Sequence, residues 1–417
     1  MHKIGQYLAR RFPALAPAIG RALDQISADD NDTALINQAR VLEAFTRHQV
    51  ASHHLWGSTG YGYNDEGRAR LEAIYADVFG CEAALVRPQI ASGTHALWLA
   101  LSGNLMPGDQ VLSVTGVPYA TLETVLNSRG PGSFSSLGIT FQSIDLLGSG
   151  EFDFAAIDAA LTDRVKLIYV QKSRGYSLRR PVSCQQIREL VNWLRARRSS
   201  PPKVVVDNCY GEFVEAEEPG HAGADLTVGS LIKNPGGGLA ETGGYLAGKK
   251  ELVANACDRL LAPGLEGEIG ATGPYLRTMF QGLFLAPHFV GQALANARFA
   301  AALAESLGYE ALPRWDEERF DLVQAIKLNS AQAMIQFCQT IQAWSPVDSF
   351  AAPIPGAIPG YAVPVVMAAG TFIQGASLEL SADGPVEPPY AVYLQGGLGF
   401  EHGLIAICSA FAALREE

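Results

Sequence analysis

A lysine at the end of an apolar stretch is the first residue in this sequence that could do covalent chemistry. Lys233 follows the run 224–232 and precedes a turn of Asn, Pro and Gly residues at 234–238. Burial penalises the ammonium form, so an apolar setting lowers the pKa of a lysine and lets its amine form a Schiff base with a carbonyl compound. A solvated lysine in a polar turn would show the same local pattern. The assignment of Lys233 therefore depends on its neighbours.

An acidic residue further upstream gives Lys233 a chemical partner. Asp207 ends the β-branched run 203–206. In a parallel α/β sheet the carboxyl ends of the strands surround one ligand crevice, so Asp207 and Lys233 can flank a single ring. Pyridoxal 5′-phosphate needs this pair, because a lysine binds its aldehyde and a carboxylate keeps its pyridine nitrogen protonated so that the ring accepts electrons. A turn aspartate that merely ends a strand is the alternative for Asp207.

Further candidate ligands follow other predicted strands. Ser92, Gly93 and Thr94 form a turn between a strand and an apolar helix. Such a turn suits a phosphate because the first N–H groups of a helix have no partners within it, although any N-capped helix shows this pattern. Tyr119, at the end of the next strand, could stack on a planar ring. Arg174 follows another buried strand and is a candidate for binding a substrate carboxylate or the cofactor.

A loop rich in glycine and tyrosine precedes these segments. It spans 58–68 and contains Tyr61, Tyr63 and Arg68. Glycines let the loop present the tyrosine hydroxyls at low conformational cost, and the arginine supplies a forked donor for a phosphate. A flexible aromatic surface loop is the alternative.

Composition argues against several other functions. The 417 residues are 48% hydrophobic and carry a formal net charge of −11, without a basic cluster, which disfavours nucleic acid and anionic membrane surfaces as partners. No apolar run approaches the roughly 20 residues that cross a bilayer. The six cysteines are scattered and the start lacks a signal peptide, so we expect reduced thiols in the cytoplasm. The pair His53 and His54 shows no ligand spacing, so we expect no metal site.

Hydrophobic periodicity divides the chain into three parts. Residues 1–50 are predicted to form a helical arm that breaks at 29–32 and packs on a neighbouring element or a partner subunit. Strands and helices alternate from 83 to 250, which predicts an α/β domain, placed at 51–287, with a mostly parallel sheet and helices on both faces. An aromatic helix is expected to end at 286–287. Residues 288–417 are then expected to form a smaller α+β domain.

Taken together, these features resemble the fold type I pyridoxal-phosphate enzymes of cysteine and methionine metabolism. Within that group the chain is most similar to the methionine gamma-lyase-related family, also called aluminium-resistance proteins. The resemblance covers nearly the whole chain and rests on the order and spacing of short motifs: 57–63 (GSTGYGY) with 67–68 (GR), 92–96 (SGTHA), 171–176 (QKSRGY), 206–213 (VDNCYGEF), 229–237 (GSLIKNPGG), 281–288 (QGLFLAPH) and 393–398 (YLQGGL).

The resemblance implies a role for each matching residue. Lys233 would bind the cofactor aldehyde and then move the α-proton, while Asp207 would pair with the pyridine nitrogen and Tyr119 would stack on the ring. The ligands of the phosphate would be Ser92, Gly93, Thr94 and Ser230. The family is oligomeric, with sites completed across a dimer interface, so a homotetramer built as a dimer of dimers is expected, and a simple dimer stays open. Tyr61, Tyr63 and Arg68 would then reach the cofactor or substrate of the neighbouring subunit.

The implied activity is that of a carbon–sulfur lyase resembling cystathionine beta-lyase. It would remove the α-proton of a cystathionine-, methionine- or cysteine-type amino acid and eliminate the thiol by β- or γ-elimination. Aminotransfer, aldol cleavage or racemisation with the same cofactor stays open, as does a catalytically weak stress-tolerance protein that retains the cofactor. Glu387 departs from the family, which often carries arginine near this position. An acid there would repel a substrate carboxylate, which leaves Arg174 as the candidate anchor.

Overall fold

The larger of two β-sheets has seven strands and provides the edge at which the candidate residues meet. The computed structural model describes residues 2–26, 32–128 and 130–415. In spatial order the strands of this sheet are β1, β7, β6, β5, β4, β2 and β3. Their bounds are β1 Ala83–Arg87, β2 Gln110–Ser113, β3 Thr140–Ser143, β4 Val165–Gln171, β5 Lys203–Asp207, β6 Leu226–Ser230 and β7 Gly244–Gly248. Strands β3, β2, β4, β5 and β6 are parallel, whereas β7 is antiparallel to both β6 and β1.

Alternate side chains of the central strands enter two different apolar cores. On β4 and β5, Tyr169 and Val205 pack on one face, whereas Ile168 and Val204 pack on the other. Because both faces are covered, these strands read as nearly continuous apolar runs. The helices are α1 His2–Arg11, α2 Ala16–Ile26, α3 Thr33–Arg47, α4 Glu66–Val78, α5 Gly93–Gly103, α6 Ala120–Asn127, α7 Phe154–Ala160, α8 Cys184–Arg197, α9 Lys250–Leu260, α10 Leu276–Ser306, α11 Ala331–Ala343 and α12 Phe400–Ala413.

A smaller antiparallel sheet occupies the C-terminal part of the chain. Its strands lie in the order β10, β11, β12, β9 and β8. Their bounds are β8 Glu310–Leu312, β9 Gln324–Lys327, β10 Val365–Ala368, β11 Ser381–Pro385 and β12 Ala391–Gln395. Helices α11 and α12 pack against each other and share an apolar core with this sheet. The predicted class, a mostly parallel α/β sheet followed by a smaller α+β part, is confirmed.

The aromatic helix expected to end at 286–287 continues instead, so that prediction was wrong. Helix α10 is 31 residues long and contains Pro287 in its interior. A proline inside a helix costs about 3 kcal/mol, but the buried face runs unbroken through Ala286, Val290 and Ala293. The boundary placed between 287 and 288 therefore lies within a helix. Neither α10 nor any other helix in the described part of the chain is apolar and long enough to cross a membrane.

The N-terminal helices pack on their own chain. Leu8, Ile19 and Leu23 of α1 and α2 join Phe299 of α10 and the apolar core of the C-terminal sheet. Helix α3 packs against α10 and α4. The element on which the N-terminal arm packs is therefore chiefly α10, which contacts both the large-sheet part and the C-terminal part of the fold. Of the predicted break at 29–32, only Asp32 lies within the described residues.

Candidate active site

The ends of β5 and β6 bring most of the predicted site residues into one cavity. Asp207 is the last residue of β5, and Lys233 lies three residues beyond the end of the neighbouring parallel strand β6. Together they line a cavity of about 310 Å³. The same cavity is lined by the other predicted residues Ser92, Gly93, Thr94, Tyr119 and Ser230. Seven predicted residues from four separate segments of the chain therefore share one space.

The amine of Lys233 lies over an aromatic ring and among acidic groups. Its Nζ is 4.1 Å from the centroid of the Tyr210 ring. Burial alone lowers the pKa of Lys233, but Cys209, Tyr210 and Asp207 more than offset burial and raise it above its ordinary value. The prediction of a lowered pKa was wrong, because the apolar run 224–232 does not reveal the acidic groups that face the lysine. The ammonium is the resting form of the free lysine.

The carboxylate of Asp207 is buried and held in one orientation. Its Oδ1 accepts a hydrogen bond from the backbone N–H of Cys209 at 3.1 Å, and its Oδ2 accepts one from the Tyr169 hydroxyl at 3.2 Å. Burial raises the pKa of Asp207, whereas Lys233 and these hydrogen bonds act in the opposite direction. A fixed carboxylate opposite an amine suits a ring that needs a counter-charge at one end and a covalent anchor at the other.

One end of the cavity presents donors that suit an anion. Ser92 caps α5, since its Oγ accepts a hydrogen bond from the backbone N–H of His95 at 3.1 Å, so Gly93 and Thr94 begin the helix inside the cavity. The Oγ of Ser230 is buried and has no hydrogen-bond partner among the described residues. A Cβ on Gly93 would lie 3.3 Å from the Cys209 sulfur, so glycine keeps this end open. A phosphate would satisfy these free donors.

Tyr119 closes the cavity beside that end. Its hydroxyl lies 3.0 Å from the Oγ1 of Thr94, and its backbone N–H donates to the Oε1 of Gln171 at 3.1 Å. Burial raises the pKa of the Tyr119 phenol, and the charge of Asp207 raises it further. Tyr119 is therefore a neutral phenol at pH 7, fixed at both its backbone and its hydroxyl.

Several lining residues were not identified from the sequence. Apart from Tyr119, four tyrosines line the cavity: Tyr176, Tyr210, Tyr361 and Tyr393. Tyr210 could have been identified from the sequence, because it is part of the 206–213 motif. Tyr361 follows the Pro/Gly-rich stretch 353–360, and its ring lies 5.5 Å from that of Tyr176. No local pattern links such a loop to the strand ends, so only the fold reveals this contact.

Arg174 lies beside the cavity and does not line it. Its Nη1 donates to the carbonyl of Leu312 at 2.9 Å, and its Nε lies 3.8 Å from Asp321. It lines a second cavity of about 930 Å³, together with Arg179. The two cavities share lining residues, namely Tyr119, Gln171, Gly175, Tyr176 and Tyr361. Glu387 is exposed and lines neither cavity. The second cavity therefore carries charges of both signs, since Asp145, Glu317 and Glu318 line it beside the arginines.

The loop at 58–68 lies outside both cavities. Arg68 is 5% exposed, and its guanidinium donates to the backbone carbonyls of Gly62, Gly270 and Glu268 at 2.8–3.0 Å. These bonds hold the loop that presents Tyr61 and Tyr63, which are 70% and 60% exposed. Arg68 thus fixes the loop, while the two tyrosines are open to a second molecule. The contact of Tyr61, Tyr63 and Arg68 with the cofactor or substrate of another subunit stays a prediction.

One histidine-containing group in the described residues could hold a cation. Possible ligand atoms of His53, His54 and Glu66 lie within 4.8 Å of one another. Sequence spacing did not indicate this group, because a turn brings Glu66 back to the two histidines. The Nδ1 of His54 already accepts a hydrogen bond from the backbone N–H of Ala51 at 3.0 Å, which leaves only its Nε2 for another partner.

A buried glutamate lies behind the strand that leads to Lys233. The Oε1 of Glu212 accepts a hydrogen bond from the Tyr245 hydroxyl at 3.0 Å, and its backbone carbonyl accepts one from the Asn234 side chain at 2.9 Å. Its Oε2 has no partner within the described ranges. Burial raises the pKa of Glu212 to about 8, so its side chain is neutral at pH 7.

We expect Glu212→Gln to remove a pH-dependent loss of stability. In the native state the glutamate keeps its proton up to about pH 8, whereas the unfolded chain releases it near 4.5. The free energy of unfolding therefore falls as pH rises through this window. Relative to wild type, Glu212→Gln should gain a few kcal/mol between pH 5 and pH 8, as measured by urea unfolding. Glu251→Gln, at an exposed glutamate, is the control. A constant difference between variant and wild type across the window would contradict a neutral Glu212.

Known proteins share both the sequence and the fold of this chain. The model of the methionine gamma-lyase family matches residues 15–415. An uncharacterized Bacillus subtilis protein, YnbB, is 50% identical over 384 residues, 91% of each chain. The crystal structure of a carbon-sulfur lyase involved in aluminum resistance from Clostridium novyi is 41% identical, covers 98% of both chains and superposes with a TM-score of 0.92. The pyridoxal-5′-phosphate-dependent protein YhfS from Escherichia coli, at 19% identity and a TM-score of 0.60, covers 91% of this chain and 96% of its own and shares the fold.

Proposed function

This chain belongs to the methionine gamma-lyase family, and from that premise we propose that it binds pyridoxal 5′-phosphate at Lys233 and acts as a carbon–sulfur lyase. The substrate is a sulfur-containing amino acid of the cystathionine, methionine or cysteine type. The observation that carries the proposal is the placement of Lys233 and Asp207 at neighbouring strand ends in one cavity.

The cavity residues fit the parts of this cofactor. Asp207 would hold a proton on the pyridine nitrogen, and Tyr119 would offer a ring face, since both line the cavity. The start of α5, with the unpartnered Oγ of Ser230, offers donors for the phosphate. When bound, the cofactor supplies an electron-accepting ring joined to the substrate nitrogen. The buried Ser230 hydroxyl is the strongest support for this fit, because an orphaned buried donor costs stability until a ligand satisfies it.

Two side chains would transfer protons in this proposal. The amine of Lys233, once freed by the substrate, takes the proton from the α-carbon at its Nζ. Tyr119 stays neutral because burial raises the pKa of its phenol, so it can donate a proton to the departing sulfur but does not compete with Lys233 as a base. General acid and base groups of this kind each contribute about 10²- to 10⁴-fold to rate.

The adjoining cavity supplies room and charge for the substrate. Its volume of about 930 Å³ extends the space around Lys233. Arg174 and Arg179 line it, and both are largely withdrawn from water. Because a guanidinium binds a carboxylate well in such a setting, we assign the anchoring of a substrate carboxylate to this side, with Arg174 as the first candidate.

A second copy of the chain completes the site in this proposal. The exposed Tyr61 and Tyr63 stand on a loop that Arg68 fixes from inside. An oligomer built as a dimer of dimers would lay this loop over the cavity of a neighbouring subunit. The reaction would take place in the cytoplasm, with no nucleic acid or membrane partner.

Product analysis tests the activity. Purified protein loaded with pyridoxal 5′-phosphate is expected to release ammonia and a 2-oxo acid in equal amounts from cystathionine, methionine or cysteine. Pyruvate from cysteine would identify β-elimination, and 2-oxobutyrate from methionine would identify γ-elimination. Transfer of the amino group to an added 2-oxo acid without free ammonia would contradict a lyase. A bound cofactor without α-proton exchange in deuterated water would instead support the stress-tolerance alternative.

A further inference from the structure

Tyr210 has a backbone conformation that an aromatic residue rarely adopts. It lies in the turn after β5 with φ of 70°. Positive φ is uncommon for residues other than glycine, and strain of this kind concentrates at functional sites. The carbonyl of Tyr210 accepts a hydrogen bond from the backbone N–H of Leu322 at 3.1 Å, which holds the turn in place. The fold therefore maintains a strained residue directly beside the cavity.

This conformation places the Tyr210 ring under the amine of Lys233. The distance from Nζ to the ring centroid is 4.1 Å, well inside the roughly 6 Å range of a cation–π contact. The ring also packs on an apolar cluster of the C-terminal sheet that contains Val323 and Tyr393. Contacts with the C-terminal part of the chain thus help to fix its position.

We propose that Tyr210 is a positioning residue that holds the Lys233 ammonium on its ring face whenever the amine is free. The inference rests on the proposed function, in which Lys233 takes the α-proton. In that step the Cα–H bond breaks, an Nζ–H bond forms, and the electron pair stays on the substrate. The neutral amine becomes a cation, which the negative face of the ring attracts.

Other groups also face this amine, so the effect of the ring must be separated from theirs. Asp207, Cys209 and Tyr119 act on the Lys233 ammonium, and Glu212 and Tyr361 interact with it electrostatically. Tyr210→Phe leaves all these groups and the ring face in place, so it isolates the hydroxyl. Tyr210→Leu removes the ring and keeps an apolar side chain.

The full chain is first freed of cofactor, and the rate at which it takes up added pyridoxal 5′-phosphate is then measured. This rate reports the proton affinity of Lys233. Uptake requires the neutral amine, so the rate against pH reports the pKa of Lys233. Tyr210→Leu removes the ring that stabilises the ammonium, so the uptake profile should shift to lower pH by about 0.5 to 1 unit. At a fixed pH below the pKa, uptake should then be about 3- to 10-fold faster. In the loaded enzyme, α-proton exchange in deuterated water should slow by about the same factor. Tyr210→Phe keeps the ring face, so it should lie closer to wild type than to Tyr210→Leu in both measurements.

An uptake profile unchanged in Tyr210→Leu, or equally shifted in Tyr210→Phe, would overturn the inference. If Tyr210→Leu does not fold, Tyr210→Asn gives the same comparison, because asparagine tolerates positive φ. A wild-type chain that takes up no cofactor at any pH would overturn the proposed function, and this inference with it. The two failures are therefore distinguishable.

Discussion

Lys233→Ala is expected to lose the covalent link to pyridoxal 5′-phosphate and with it the reaction. The variant should show no visible absorption band from linked cofactor after dialysis. The release of 2-oxo acid should fall by on the order of 10⁴-fold, because the proposed function makes this one side chain both anchor and base. Absorbance spectroscopy and product assay on the same preparation measure the two effects.

Lys166→Ala controls for the loss of a lysine from the same sheet. Lys166 is exposed on β4, so this variant should keep the band and the activity of wild type. Thermal unfolding of both variants should show that neither has lost the fold. If Lys233→Ala keeps the band after exhaustive dialysis, the cofactor is linked elsewhere or not at all, and the assignment of Lys233 fails.

The sequence was sufficient for the large sheet because its strands are locally recognisable. Val204 and Val206 face one core while Val205 faces the other, so the strand reads as one apolar run bounded by Asp207. The end of helix α10 could not be predicted in this way, because its local sequence signal conflicts with its packing. Pro287 is a strong local signal to end a helix, but the apolar face that continues to Ala293 and beyond packs on both parts of the fold. Tertiary burial outweighed the local signal.

The site was predictable where a strand end carries the residue. Asp207 and Ser230 end their strands, and Lys233 and Tyr119 follow theirs within a few residues, so sheet geometry alone brings them together. Tyr361 arrives from a loop of the C-terminal part, and no periodicity predicts its contact with Tyr176. The raised pKa of Lys233 could not be predicted from the sequence either, because it depends on groups from several elements that face the amine.

Asp207→Asn is expected to keep the cofactor and lose most of the rate. Asparagine has nearly the same shape, so the link to Lys233 and the visible band should remain. Its neutral amide cannot keep the pyridine nitrogen protonated, and the ring then stabilises the substrate carbanion less well. Each 1.4 kcal/mol or so of lost stabilisation costs tenfold in rate, so we expect kcat to fall by on the order of 10³-fold with a smaller change in KM.

Asp225→Asn provides a matched control at the other end of the same pair of strands. Asp225 precedes β6, accepts a hydrogen bond from the backbone N–H of Val204 at 2.8 Å and pairs with Lys249 at 2.6 Å. This variant should lower the unfolding temperature and leave kcat within a few-fold of wild type, because its carboxylate lies away from the cavity. Equal losses of kcat in both variants would show that Asp207 acts through stability alone. If Asp207→Asn keeps a kcat close to that of wild type, the ring needs no fixed negative charge opposite Lys233. The proposed role of the Asp207 carboxylate would then be wrong.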